Sequence, residues 1–148
     1  MSFVPYLSFN GQAREALTAY AQIFGATDLQ LMAFSDAPPE TAPPETAPPG
    51  TAPAGAAPAG AEKLIMHGQF SAGGSTLMAA DMPGNPPDGM ASPSVFHGAA
   101  NAETAARVFA ALSERGQIIL PLGQTFWSPC FGMLKDRFGT TWMITLAA

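Results

Sequence analysis

Residues 74–78 read GSTLM and residues 139–143 read GTTWM. Two near-copies of one β-prone stretch in a chain of 148 residues raise the question of an internal duplication. The surrounding sequence supports it. FVPYLSFN, rich in aromatic and β-prone residues, opens the first half as a strand. In GQAREALTAYAQIFG, residues Ala13, Ala16, Leu17, Tyr20 and Phe24 recur at helical spacing, and Gly25 supplies a stop. TDLQLMAF, KLIMHGQF and STLMAAD then read as three strands.

The second half repeats that order. SVFHGAA reads as a strand, and Asn101 is placed to cap a helix with Glu103 in its first turn. Ala105, Val108, Phe109 and Leu112 make the apolar face, and Gly116 is expected to end the helix. QIILPLGQTF, FGMLKD and GTTWMITL follow as strands. Pro121 removes a ladder donor, so its strand is expected at a sheet edge or with a bulge. Both halves therefore read β-α-β-β-β, with the quoted motif on the last strand of each. The fold class is α+β, two tandem βαβββ modules. The first spans 1–81, a loop occupies 82–92, and the second spans 93–148.

The first module is interrupted at 37–62. From residue 38 this stretch is a decaying five-residue repeat, PPETA PPETA PPGTA PAGAA PAGAE, with proline opening every unit. Proline blocks helix and central strand, and almost no large apolar side chain is present to offset the entropy of ordering. The repeat is expected to be an expanded surface loop.

Charge narrows the partners. Only 11% of residues are charged, the net charge is −5, and the six Lys and Arg are scattered. Nucleic acid and anionic membrane are therefore expected to be poor partners on electrostatic grounds. No stretch approaches the roughly 18 apolar residues of a membrane span. The opening MSFVPYLSFNGQAREA has no basic start followed by a long apolar run, so a cytoplasmic location is expected. The single cysteine, Cys130, excludes an intramolecular disulfide; between Pro129 and Phe131 it has no base to activate it and reads as a packed thiol. No GxSxG, GxGxxG or GxxxxGK[ST] motif occurs.

PYLSFNGQAREALTAYAQIFGA, KLIMHGQF and QTFWSPCFGMLKDRFGTTWMI resemble the PhnB-like branch of the vicinal oxygen chelate superfamily, which includes glyoxalase I, extradiol dioxygenases and bleomycin-resistance proteins. The resemblance covers the chain except the proline repeat. It implies sheets curled around a cleft, pairing into homodimers, and, in metal-dependent members, one ligand on the first and last strand of each module. Those four positions fall at Pro5, Met78, Ser94 and Met143, which are not a usual donor set for a divalent ion. No metal and no cofactor are therefore expected.

The resemblance places Met78, Met143 and Phe96 in the cleft, where thioethers and an aromatic ring suit a shape-tolerant apolar pocket. Gln124 and Trp127, at the end of the strand QTFW, and His67 are the anchors expected to orient a small-molecule ligand; Ser8 and Gln69 also point inward. Strand alternation puts His97 on the face opposite Ser94. Two functions stay open. One is a metal-independent protein that binds and sequesters a small molecule in an apolar cleft. The other is a glyoxalase-like or dioxygenase-like enzyme with a displaced metal site near His67, for which Asp81 is a candidate carboxylate.

Overall fold

The computed structural model describes residues 4–36, 60–81 and 94–147. Most of the proline repeat and the 82–92 loop lie outside them. The elements run β1 (Tyr6–Phe9), α1 (Ala13–Phe24), β2 (Gln30–Ala33), a 3₁₀ turn (Phe34–Asp36), β3 (Ile65–Ala72), β4 (Ser75–Asp81), β5 (Ser94–Ala99), α2 (Ala102–Ser113), β6 (Gln117–Gly123), β7 (Phe131–Lys135) and β8 (Thr141–Leu146). Among the described residues no helix is long and apolar enough to cross a membrane.

The chain divides into two compact units: Met1–Ala21 with Ala26–Pro86, and Gln22–Gly25 with Pro87–Ala148. The first holds a sheet of order β1-β4-β3-β2, the second a sheet of order β5-β8-β7-β6. In each, the first and last strands of the module pair in parallel and the other ladders are antiparallel. A strand, a helix and three strands thus produce the same mixed sheet twice, as the repeated pattern predicts.

Register fixes which positions correspond. Met78 pairs with Tyr6 on β1 and with Gln69 on β3, and Met143 pairs with Phe96 on β5 and with Met133 on β7. One residue earlier on β3 and β7 stand Gly68 and Gly132, and here each helix packs onto its sheet. A Cβ at Gly68 would collide with the Leu17 side chain, and one at Gly132 would lie 2.7 Å from Cε2 of Phe109. Without glycine the helices would be pushed off their sheets. The helix-facing side of the first sheet is core, with Leu7, Phe70, Leu77 and Ala79 buried beneath Leu17 and Tyr20. In the second, Val95, Leu134, Trp142 and Ile144 are buried beneath Val108, Phe109 and Leu112. Each large side chain so buried stabilises the fold by about 1.5–3 kcal/mol before entropy is counted.

The two helices start differently. Asn101 caps α2 locally, its side chain accepting from Thr104 N at 2.8 Å. At α1 the acceptor comes from the far end of β4: Asp81, 4% exposed, accepts from Ala13 N at 3.0 Å and from Ile65 N at 2.8 Å. Helix α2 also ends differently from expectation. The left-handed residue is Arg115 (φ 57°), not Gly116, whose absent Cβ instead lets the chain pass close to the backbone of Lys135 and Asp136. Strand β2 is shorter than TDLQLMAF suggests, because Phe34 already belongs to the 3₁₀ turn. Strand β6 is an edge strand, and its register shifts on either side of Leu120, as Pro121 requires.

Candidate functional site

With one side of each sheet under its helix, the other side is open, and alternation decides what it carries. In the first unit Tyr6, His67, Gln69, Gln30 and Met78 share the open side. Tyr6 Oη lies 3.3 Å from His67 Nδ1, His67 Nε2 lies 3.4 Å from Gln69 Oε1, and Gln69 Nε2 donates to Gln30 Oε1 at 3.4 Å. The Tyr6 and His67 rings are 5.9 Å apart and tilted by 40°. This string crosses all four strands. It can do so because Ala80, on β4 beside His67, has no side chain beyond Cβ to block the Tyr6 phenol. At the end of the same sheet Asp28 accepts from Ser71 N at 2.8 Å, a backbone hydrogen bond that holds its carboxyl below the usual range.

In the second unit the corresponding positions are apolar. Phe96, Met143, Met133 and Leu120 form one row across the sheet. Phe96 is 61% exposed and Leu120 40%. Phe131, in the neighbouring row, is buried under Trp127, whose ring meets it edge-on at 4.5 Å. Position by position, Tyr6 corresponds to Phe96, His67 to Phe131, Gln69 to Met133 and Gln30 to Leu120. One architecture carries a hydrogen-bonding face in one unit and an apolar face in the other.

Trp127 and Gln124 lie not at the end of a strand but in the loop after β6, which stops at Gly123. The loop is held by Thr125 N donating to Ser128 O at 2.8 Å, Ser128 N donating to Thr125 Oγ1 at 3.0 Å, and Ser128 Oγ donating to Cys130 O at 2.9 Å. It leaves Phe126 fully exposed, Trp127 half-exposed and Gln124 exposed. Cys130 is buried, as the sequence leads one to expect.

Several candidates change role. Asp81 does not stand beside His67: it lies on the helix side of the sheet with both carboxylate oxygens accepting from backbone amides. The displaced site built from His67 and Asp81 is therefore not formed. Among the described residues no three His, Cys, Asp or Glu side chains are grouped to hold a metal ion. In the parallel ladders Met78 stands opposite Tyr6, while its N donates to Pro5 O at 3.1 Å, and Met143 stands opposite Phe96. Neither Tyr6 nor Gln30 is singled out by the sequence, because the register that brings them to this face joins strands far apart in the chain. His97 takes the place that buried Leu7 holds in the first unit. It is half-buried against the Phe24 ring at 4.8 Å, and burial pushes its imidazole below the ordinary range.

A family model described as 3-demethylubiquinone-9 3-methyltransferase matches residues 1–145. The chain belongs to this family. Protein YjdN of Escherichia coli K12 is 31% identical over 149 residues, covering 99% of this chain and 95% of its own. The crystal structure of protein PA1353 from Pseudomonas aeruginosa has 36% identity and a TM-score of 0.79, covering 99% of this chain and 97% of its own. The PhnB protein from Bacillus cereus has 25% identity and a TM-score of 0.65, covering 99% of this chain and 100% of its own. A bleomycin resistance determinant encoded on transposon Tn5 shares the fold, with a TM-score of 0.53 at 12% identity over 99% of this chain and 97% of its own. The fold is thus a bleomycin-resistance-like α+β fold.

Proposed function

We propose that this chain is a PhnB-like protein that binds a small molecule without a metal ion and sequesters it rather than turning it over. The observation that supports this most is the open side of the second sheet. Phe96, Met143, Met133 and Leu120 form an apolar row on the side that no helix of that unit covers. Exposing such side chains together costs solvation free energy that an unused surface has no reason to retain. Thioethers beside aromatic rings accommodate ligands of varied shape. Trp127, seated on Phe131 by a hydrogen-bonded loop, adds a fixed wall. Pairing into a homodimer, in the cytoplasm, belongs to the same reading. Methyl transfer, which the family's description names, is not part of it, because the sequence has no GxGxxG loop to hold a nucleotide-like methyl donor.

Native mass spectrometry of protein purified without chelator tests the proposal by reading subunit count and retained mass together. A retained organic mass that is lost in Phe96→Asp is the expected result. A divalent ion bound at about one per subunit and lost in His67→Ala would overturn it.

A further inference from the structure

The four polar residues on the open side of the first sheet are not demanded by the architecture. The second sheet builds the same strand order and helix contact with Phe96, Phe131, Met133 and Leu120 in their places. What Tyr6, His67, Gln69 and Gln30 have in common is a hydrogen-bond string with a direction. Gln69 gives its Nε2 hydrogen to Gln30, so its Oε1 faces His67 and calls for a proton on His67 Nε2. Nδ1 is then bare and accepts from the Tyr6 phenol. Every donor points from Tyr6 toward Gln30.

The phenolic oxygen at the head of this string has given away its only hydrogen. It keeps lone pairs, and Tyr6 is 47% exposed, so they are open to a ligand. Donation to His67 strengthens that oxygen as an acceptor, since hydrogen bonds in a chain polarise one another. None of the four strands of this sheet carries a lysine or arginine, so the strands themselves offer an anionic group no countercharge. The Met78 side chain beside the string offers an apolar floor.

We infer that Tyr6, His67, Gln69 and Gln30 form a subsite for a neutral ligand bearing an aromatic or enolic hydroxyl, which donates to Tyr6 Oη. This rests on the small-molecule reading above and names the polar half of the ligand.

The test is a titration of ¹⁵N-labelled full-length protein with three matched compounds: 2-naphthol, 2-methoxynaphthalene, which has lost the donor, and 2-naphthoate, which is charged. Imidazole ¹⁵N shifts report both tautomer and binding, and with only two histidines in the chain His97→Leu assigns them. The expected result is His67 as the Nε2–H tautomer, a saturable shift with 2-naphthol, and affinity for it about tenfold above the other two compounds. That preference disappears in Tyr6→Phe, a change the strand accommodates because Phe96 holds the matching place in the second sheet. His67→Gln provides a second variant with the same expectation. An Nδ1–H tautomer, equal affinity for 2-naphthol and 2-methoxynaphthalene, or no saturable shift with 2-naphthol would each overturn the subsite. Retention of an organic mass that depends on Phe96 would survive any of these results, so failure of the subsite is distinguishable from failure of the binding proposal.

Discussion

Replacing Asp81 separates a structural carboxylate from a metal ligand. In the first unit its two oxygens accept from Ala13 N at the start of α1 and from Ile65 N at the start of β3. A hydrogen bond to a charged group contributes about 1.5–3 kcal/mol, and a buried amide left without an acceptor costs a similar amount. Asp81→Ala removes both acceptors, so a loss of about 3–5 kcal/mol is expected. Asp81→Asn keeps one carbonyl oxygen and should lose about half of that. With a urea dependence of about 2 kcal/mol per molar, the midpoints fall by about 2 M and 1 M respectively. Far-UV ellipticity follows both units, whereas Trp127 and Trp142 both lie in the second. The drop should therefore appear first in ellipticity, with tryptophan emission lagging if the units melt separately. A change below about 0.5 kcal/mol in Asp81→Ala, within the scatter of surface substitutions, would refute the assignment of Asp81 as the shared cap.

Three further outcomes follow from single positions. Gly132→Ala places a Cβ 2.7 Å from Phe109 Cε2 and 2.9 Å from Leu122 Cα, so urea unfolding should show a loss of about 1–3 kcal/mol, opposite in sign to the usual gain from removing a strand glycine. Arg115→Gly relieves a left-handed backbone at φ 57° and should raise the urea midpoint by the equivalent of about 0.5–1 kcal/mol. His97 is held below the ordinary imidazole value of about 6.5 by burial, so the unfolded chain takes up the proton first as pH falls. Stability is then intact above about pH 7 and declines as pH falls through 6.5; urea midpoints at pH 7.5 and 5 should differ in the natural chain by more than in His97→Leu.

Much of the fold was legible because its signals are local. The apolar face of α2 (Ala105, Val108, Phe109 and Leu112) is buried in full. That of α1 is buried through Tyr20, while Phe24 belongs with the second unit and packs against His97 and Trp142. Asn101 caps where a cap was expected, and the proline at 121 marked an edge strand. The candidate site was less legible. Met78, Phe96, Met143 and His67 do lie on open sides, because strand parity is a two-residue rule readable from a motif. Gln124 and Trp127 were assigned to a strand that had already ended, since the loop is made by Thr125 and Ser128 hydroxyls bonding to nearby backbone, a competitor that periodicity does not reveal.

The sequence by itself determined that there are two βαβββ units and most of the side chains that each helix buries. These depend on spacing within a few residues, and the chain writes that spacing directly. Tertiary structure alone decided that Tyr6 stands opposite Met78 in the ladder, that Asp81 caps α1 instead of joining His67, and that the Tyr6, His67, Gln69 and Gln30 positions are matched by apolar residues in the second unit. Each depends on register between strands far apart in sequence. A shift of one residue in that register exchanges the core side of a strand for the open one.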